Sequence, residues 1–170
     1  MFIQDGDNFI STYKNYTILL EKIKSSKYLI KIKQEEKPIY NGAKSENAVQ
    51  KHKEEIEKDL INLIDRYEQL LVLLKSNNFT HTGQNKYVIE CILNKNGAKC
   101  VLTLRVPKNA RAREQINDHF KKLYIQASFQ NEVYFNKNHQ FPVYWEDLTN
   151  LEIKKIMHKY IEYQIHTKGL

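Results

Sequence analysis

Six histidines are the first residues to weigh for chemistry: His52, His81, His119, His139, His158 and His166. A hydrolytic zinc site of the helical type wants two histidines four residues apart with a glutamate between them, and no pair has that spacing. The two cysteines, Cys91 and Cys100, are too few for a disulfide scaffold or a cysteine-rich zinc module. They read as two small buried residues on one strand face, set diagonally to each other. Thr80-His81-Thr82 sits in a polar stretch and invites a phosphoesterase or nuclease reading. Such an enzyme needs a second matching motif, and His166-Thr167 is a poor match. Asp118 beside His119 reads as an ordinary helix surface. A Gly-rich phosphate loop and a Gly-x-Ser-x-Gly elbow are both missing from the sequence, and five glycines leave few of the tight turns cofactor sites use. The expectation is a protein that is not an enzyme, with no catalytic residues, no metal and no cofactor.

The cations are better organised. The chain of 170 residues carries 27 Lys and Arg against 20 Asp and Glu, a net charge of +7. Residues 22–37 hold six Lys and two Glu, net +4, and residues 99–124 hold seven Lys or Arg and two acids, net +5. Their sum, +9, exceeds the whole chain's +7, so the remainder is slightly acidic. A localised basic surface follows, and its natural partner is a polyanion, with nucleic acid first.

The elements that must position these charges come from periodicity. Phe9, Tyr13, Tyr16, Leu20 and Ile23 repeat at 4-3-4-3 spacing, which predicts a helix over 7–25 behind an Asp7 cap. Tyr28, Ile30 and Ile32 alternate with Lys31 and Lys33, which predicts a strand with one apolar and one basic face. Ile56, Leu60, Leu63, Tyr67, Leu70 and Leu74 predict a long helix over 45–76, with Ser45 and Asn47 as candidate caps. Its charges nearly cancel: residues 44–75 hold six bases and seven acids. Strands 87–93 and 99–106 flank Asn96-Gly97, the favoured pair for a type I′ hairpin turn. The implied register puts Leu93 opposite Cys100 and Cys91 opposite Leu102, and sends Leu102 and Leu104 to the core. Ile116, Phe120, Leu123 and Ala127 predict a helix over 110–128. Val133 and Phe135 alternate in a short strand, a loop follows at Pro142, and a last helix covers 148–164.

The class expected is α+β: a small antiparallel sheet covered on one face by helices, in the order α-β-[long α insertion]-β-β-α, with a C-terminal helical extension. One domain spans 1–170, with its core in 1–35 and 86–128, the helical insertion at 44–77 and the extension at 132–170. The sequence shows no internal repeat. With no apolar run of transmembrane length and no secretory signal at the start, a cytoplasmic chain without membrane insertion is expected. If the strand at 27–33 joins the hairpin's sheet, Lys31 and Lys33 share a face with Lys99 and Arg105, and Lys108, Arg111 and Arg113 lie close by. Such a face suits the phosphates of folded RNA. It carries no aromatic pair for stacking single-stranded bases. The bland alternative is an ordinary wet sheet face. The alternative function is a protein interaction module docking through Leu63, Tyr67, Leu70 and Leu74 of the long helix.

These residues also resemble a known family, the Alu-domain proteins of the signal recognition particle. Ile3-Gln4-Asp5-Gly6-Asp7-Asn8-Phe9-Ile10-Ser11 looks like the start of its fourteen-kilodalton subunit. Lys27 to Lys33 looks like its first strand, 87–106 like its second and third, and Ile116, Phe120 and Tyr124 like the core face of its last helix. The chain departs from the family in its long helical insertion and in its extension beyond residue 132, and it lacks a lysine-rich tail. The resemblance implies an RNA-binding ribonucleoprotein subunit that pairs as a heterodimer with a similar partner subunit and holds Alu RNA on a curved sheet. By position, it makes Lys31, Lys33, Lys99 and Arg105 the RNA-facing residues.

Overall fold

The structure is a computed structural model that describes residues 1–83, 85–92, 99–130, 138–144 and 155. It is α+β, with antiparallel sheets and one main helix. The chain divides into two compact units, Met1–Glu68 with Pro107–Phe120, and Gln69–Val106 with Lys121–Leu170.

The first unit holds a five-stranded meander: β1 (Ile3–Asp5), β2 (Asn8–Tyr13), β3 (Tyr16–Ile23), β4 (Lys27–Gln34) and β5 (Lys37–Ser45), in sequential order. Residues 7–25 are therefore strands, not the expected helix. Phe9 and Tyr13 point to one face of β2, and Tyr16 and Leu20 to the same face of β3. The two-residue turn Lys14-Asn15 switches parity between them, so strand alternation counts out as 4-3-4. The turns are tight because Lys14, Ser26 and Glu35 all take positive φ. α1 (Glu46–Ser76) begins at Ser45, whose Oγ accepts the Ala48 N–H at 3.1 Å, and its backbone leaves helical geometry at His52. Up to Glu68 it belongs to the first unit.

Alternation decides what the sheet buries. Ile18, Leu20, Ile30, Ile32 and Tyr40 lie on the helix side, fully or almost fully buried, together with Val49, Ile56, Leu60, Leu63 and Ile64 of α1. Tyr16 meets Tyr67 edge-on at 6.5 Å. Tyr13 donates its hydroxyl hydrogen to Asp65 at 2.9 Å, and Lys53 stands 4.3 Å over the Phe9 ring. Gly42, two residues beyond Tyr40 on this face, makes room for the phenol: a Cβ there would lie 2.5 Å from its Oη and 2.8 Å from its Cζ. The ring is buried and cannot swing away. Gly42→Ala should therefore destabilise the chain by about 1–3 kcal/mol through overpacking, read as a lower urea midpoint at unchanged slope.

The second unit holds another five-stranded meander: β6 (Thr80–His81), β7 (Lys86–Ile92), β8 (Lys99–Arg105), β9 (Lys122–Gln130) and β10 (Asn138–Tyr144). The end of α1 precedes it and is closed by Asn78 in the left-handed region, with Phe79 N–H donating to Leu74 O at 2.9 Å. Leu70, Leu74, Phe79, Leu102, Leu104, Val106, Leu123 and Ile125 are buried. The hairpin strands form as expected, but the register differs by two residues: Cys91 is opposite Cys100 and Ile89 opposite Leu102. A shift of two leaves the faces unchanged, so Leu102 and Leu104 are still core residues. The Asn96-Gly97 turn lies outside the described residues.

Residues 110–128 are not a helix either. They hold one 3-10 turn, Ile116–Asp118, and then β9, where buried Leu123 and Ile125 alternate with exposed Lys122 and Tyr124. Pro142, expected in a loop, lies in β10 at the end of the sheet order, where a missing N–H is tolerated. The strand at 133–135 and the helix at 148–164 fall outside the described residues, apart from Lys155. No helix among the described residues is long and apolar enough to cross a membrane.

Candidate nucleic-acid interface

β4 pairs with β3 and β5, never with β7 or β8. The expectation of one basic sheet face joining Lys31 and Lys33 to Lys99 and Arg105 is thus corrected: the two pairs lie in different sheets and different units. Segments 1–35 and 86–128 likewise share no sheet. Arg105 is exposed at the end of β8. Leu63, Tyr67, Leu70 and Leu74 are core residues, each no more than 2% exposed, so the apolar stripe of α1 is covered by the chain itself and offers no docking surface.

Within the first unit, β5 has β4 on one edge and part of the second basic segment on the other. Alternation turns Lys27, Leu29, Lys31 and Lys33 of β4 away from the helix, because Tyr28, Ile30 and Ile32 between them are buried. Lys27 and Lys33 are exposed, and Lys31 is half-buried, its Nζ 2.7 Å from the Glu21 carboxylate on the neighbouring strand. On the far side of β5, the stretch from Pro107 to Phe120 lies alongside Asn41. Asn41 N–H donates to Lys108 O at 2.9 Å, and Ala110 N–H donates to Asn41 O at 2.8 Å. The Asn41 side-chain amide also donates to Asn109 Oδ1 at 3.2 Å. This parallel bridge carries exposed Arg111 and Arg113 in the next turn, Arg113 with φ +64°, while Lys108 is half-buried.

A buried histidine fastens that stretch. His119 is 1% exposed. Its Nε2 is 2.9 Å from Pro107 O, and since a carbonyl only accepts, Nε2 carries a hydrogen. Its Nδ1 faces the Glu114 carboxylate in a short contact, so one proton lies between the two side chains. The ring packs against Tyr40 at 4.8 Å and Phe120 at 4.2 Å. Arg66 of α1 donates from Nε to His119 O at 2.9 Å, and Asn117 donates to Asp59 at 3.0 Å. Burial, and secondarily the charge of Glu114, pushes the Tyr40 hydroxyl up to about 12. His119 is thus a structural bolt with no access to a substrate.

A basic strip on the first unit thus comprises Lys27, Lys31 and Lys33 on the outward face of β4, with Lys31 paired to Glu21, and the exposed Arg111 and Arg113 of the stretch bridged to β5. Lys27 was missed by the sequence reading, although it begins the same alternating run. The Asn41–Asn109 bridge joins residues 68 apart and has no local signal. The outward face also carries an apolar row: Ile3, Ile10 and Leu19 stand across the strands in line with Lys31, and Ile3 is 72% exposed. No three His, Cys, Asp or Glu side chains gather as a metal would require among the described residues. Compared with protein-family models, curated proteins and solved structures, the chain matches none.

Proposed function

We propose that the chain is a non-enzymatic RNA-binding subunit of a ribonucleoprotein that holds folded RNA by its phosphates on the basic strip of the first unit. The observation that carries this reading is the Asn41 bridge, which bonds the stretch leading to Arg111 and Arg113 to the outer edge of β5, the neighbour of the strand bearing Lys27, Lys31 and Lys33. Lys99 and Arg105 are left out of the strip. The Alu-type family order also loses its first and last helices, so the proposal rests on the charges and not on the resemblance.

Neutralising phosphates releases counterions, so affinity should fall steeply with salt. With about four phosphates engaged, log K should fall against log salt with a slope of about −3.6. Lys33→Glu combined with Arg113→Glu should weaken binding of a labelled structured RNA at least about tenfold and flatten that slope, measured by fluorescence anisotropy. Unchanged affinity and slope in the double variant would remove this strip as the binding site.

The apolar row Ile3, Ile10, Leu19 favours a second reading on the same sheet, a protein partner covering the β1–β3 side. A similar partner subunit is the form this takes in a heterodimeric particle. Light scattering of the purified chain with and without Ile3→Lys separates the two: RNA binding that survives loss of a complex assigns the two halves of the face to different partners.

A further inference from the structure

We infer that the ligand of the basic strip is a double-stranded nucleic acid, gripped on the phosphates of both its strands, and not a single strand. The inference rests on the RNA-binding reading above and narrows it.

The first ground is the shape of the charge. Lys27 to Lys33 spans six residue steps of β4, which at strand rise is about 20 Å. Arg111 and Arg113 belong to the stretch bonded to the far edge of β5, two strand spacings from β4, about 10 Å away. The lysines thus run along one line, and the chain that carries Arg111 and Arg113 is bonded about 10 Å to one side of it. One strand offers a single track of phosphates, whereas a duplex offers two tracks flanking a groove about 6 to 12 Å wide in B-form DNA. A line of lysines with arginines set to one side of it matches two tracks.

The second ground is what the face lacks. Unstacked single-stranded bases are held on aromatic side chains. The outward positions of β2 to β5 hold aliphatic, hydroxyl, amide and charged residues and no aromatic ring; Phe9, Tyr13, Tyr16, Tyr28 and Tyr40 all turn toward the helix side. A duplex hides its bases and shows its phosphates, and that is what this face can engage.

The third ground is that three of the five cations are available. Among the described residues, neither Lys27, Lys33 nor Arg113 forms an ion pair, and all three are exposed.

The test uses the full chain and three labelled probes: a short duplex RNA, a duplex DNA of the same sequence, and an oligouridylate of the same length. Anisotropy titrations are run at about 50 and 200 mM salt. The expected result is that at least one duplex binds at least about tenfold tighter than oligouridylate. The two duplex arms distinguish an RNA from a DNA source of the same phosphate chemistry. Arg111→Glu with Lys33→Glu should abolish this preference, and Lys58→Glu with Lys51→Glu, an equal charge change on exposed positions of α1, should leave it intact. Oligouridylate bound within about tenfold of the better-bound duplex would overturn the inference while the RNA-binding reading stands. Failure to bind any probe at low salt would remove that reading and the inference with it.

Discussion

His119→Ala should cost about 3–5 kcal/mol of stability, the range for truncating a large buried ring, here with two hydrogen bonds lost besides. The substitution leaves the Glu114 carboxylate, only 17% exposed, facing no imidazole, and leaves Pro107 O without its donor. It also opens a void between Tyr40 and Phe120, which sandwich the ring at 4.8 and 4.2 Å. Glu114→Gln keeps an acceptor for Nδ1 and should cost only about 1 kcal/mol. Urea unfolding followed by circular dichroism reads both, as a lower midpoint at unchanged slope. An Ala variant within about 0.5 kcal/mol of the parent would show that the ring does not fasten the stretch. A functional consequence follows. Loosening the stretch around His119 frees Arg111 and Arg113 from β5, so RNA affinity should drop although no cation has been removed.

The second large effect is alkaline unfolding. Burial raises the hydroxyl pKa of Tyr16, Tyr40 and Tyr67, that of Tyr40 to about 12 from an ordinary value of 10.0. The charged phenolate is disfavoured in the fold, so the unfolded chain releases its proton first as pH rises. The stabilisation tied to the neutral ring is therefore fully present below pH 10 and is lost as pH climbs from 10 toward 12. Two pH units at about 1.4 kcal/mol each give a loss of about 2–3 kcal/mol from Tyr40 alone, with Tyr16 and Tyr67 adding in the same direction. Stability measured against pH should be flat with respect to these tyrosines below pH 10 and fall beyond it, and tyrosinate absorbance should rise together with loss of circular dichroism. Tyr40→Phe should remove its share of the slope. A variant with the parent's full alkaline slope would exclude Tyr40 as a contributor.

How far such features could be read beforehand depended on the range over which the signal acts. β4 was legible because Tyr28, Ile30 and Ile32 alternate with charged residues, and α1 because its apolar stripe runs long and begins at a capping serine. The β7–β8 hairpin was legible in its faces and not in its register. The β2–β3 hairpin was misread because its turn falls on Lys14-Asn15, where positive φ is carried by a lysine and not by glycine, and because the parity switch imitates helical spacing. β9 was misread for a related reason: Phe120, itself at positive φ, and Leu123 stand three apart, yet a turn and not a helix separates them. Of the basic strip, Lys31, Lys33, Arg111 and Arg113 were legible by charge. Their assembly was not, since it depends on backbone bonds at Asn41 to residues far along the chain, and Lys99 and Arg105 were grouped with them only by a sheet that does not exist.

The route of the chain has a consequence for its birth. The first unit is discontinuous, because Pro107–Phe120 returns to it only after β6, β7 and β8 have been made. During synthesis its sheet and most of its helix emerge early, yet Asn41 must wait for Lys108 and Ala110 to satisfy its backbone, and Tyr40 for the imidazole of His119. Until then, the middle of β5 is an unfinished edge, the kind of surface that pairs with other chains. The lysines of β4, solvated and mutually repelling on that half-built sheet, are what stand beside the open edge in the interval.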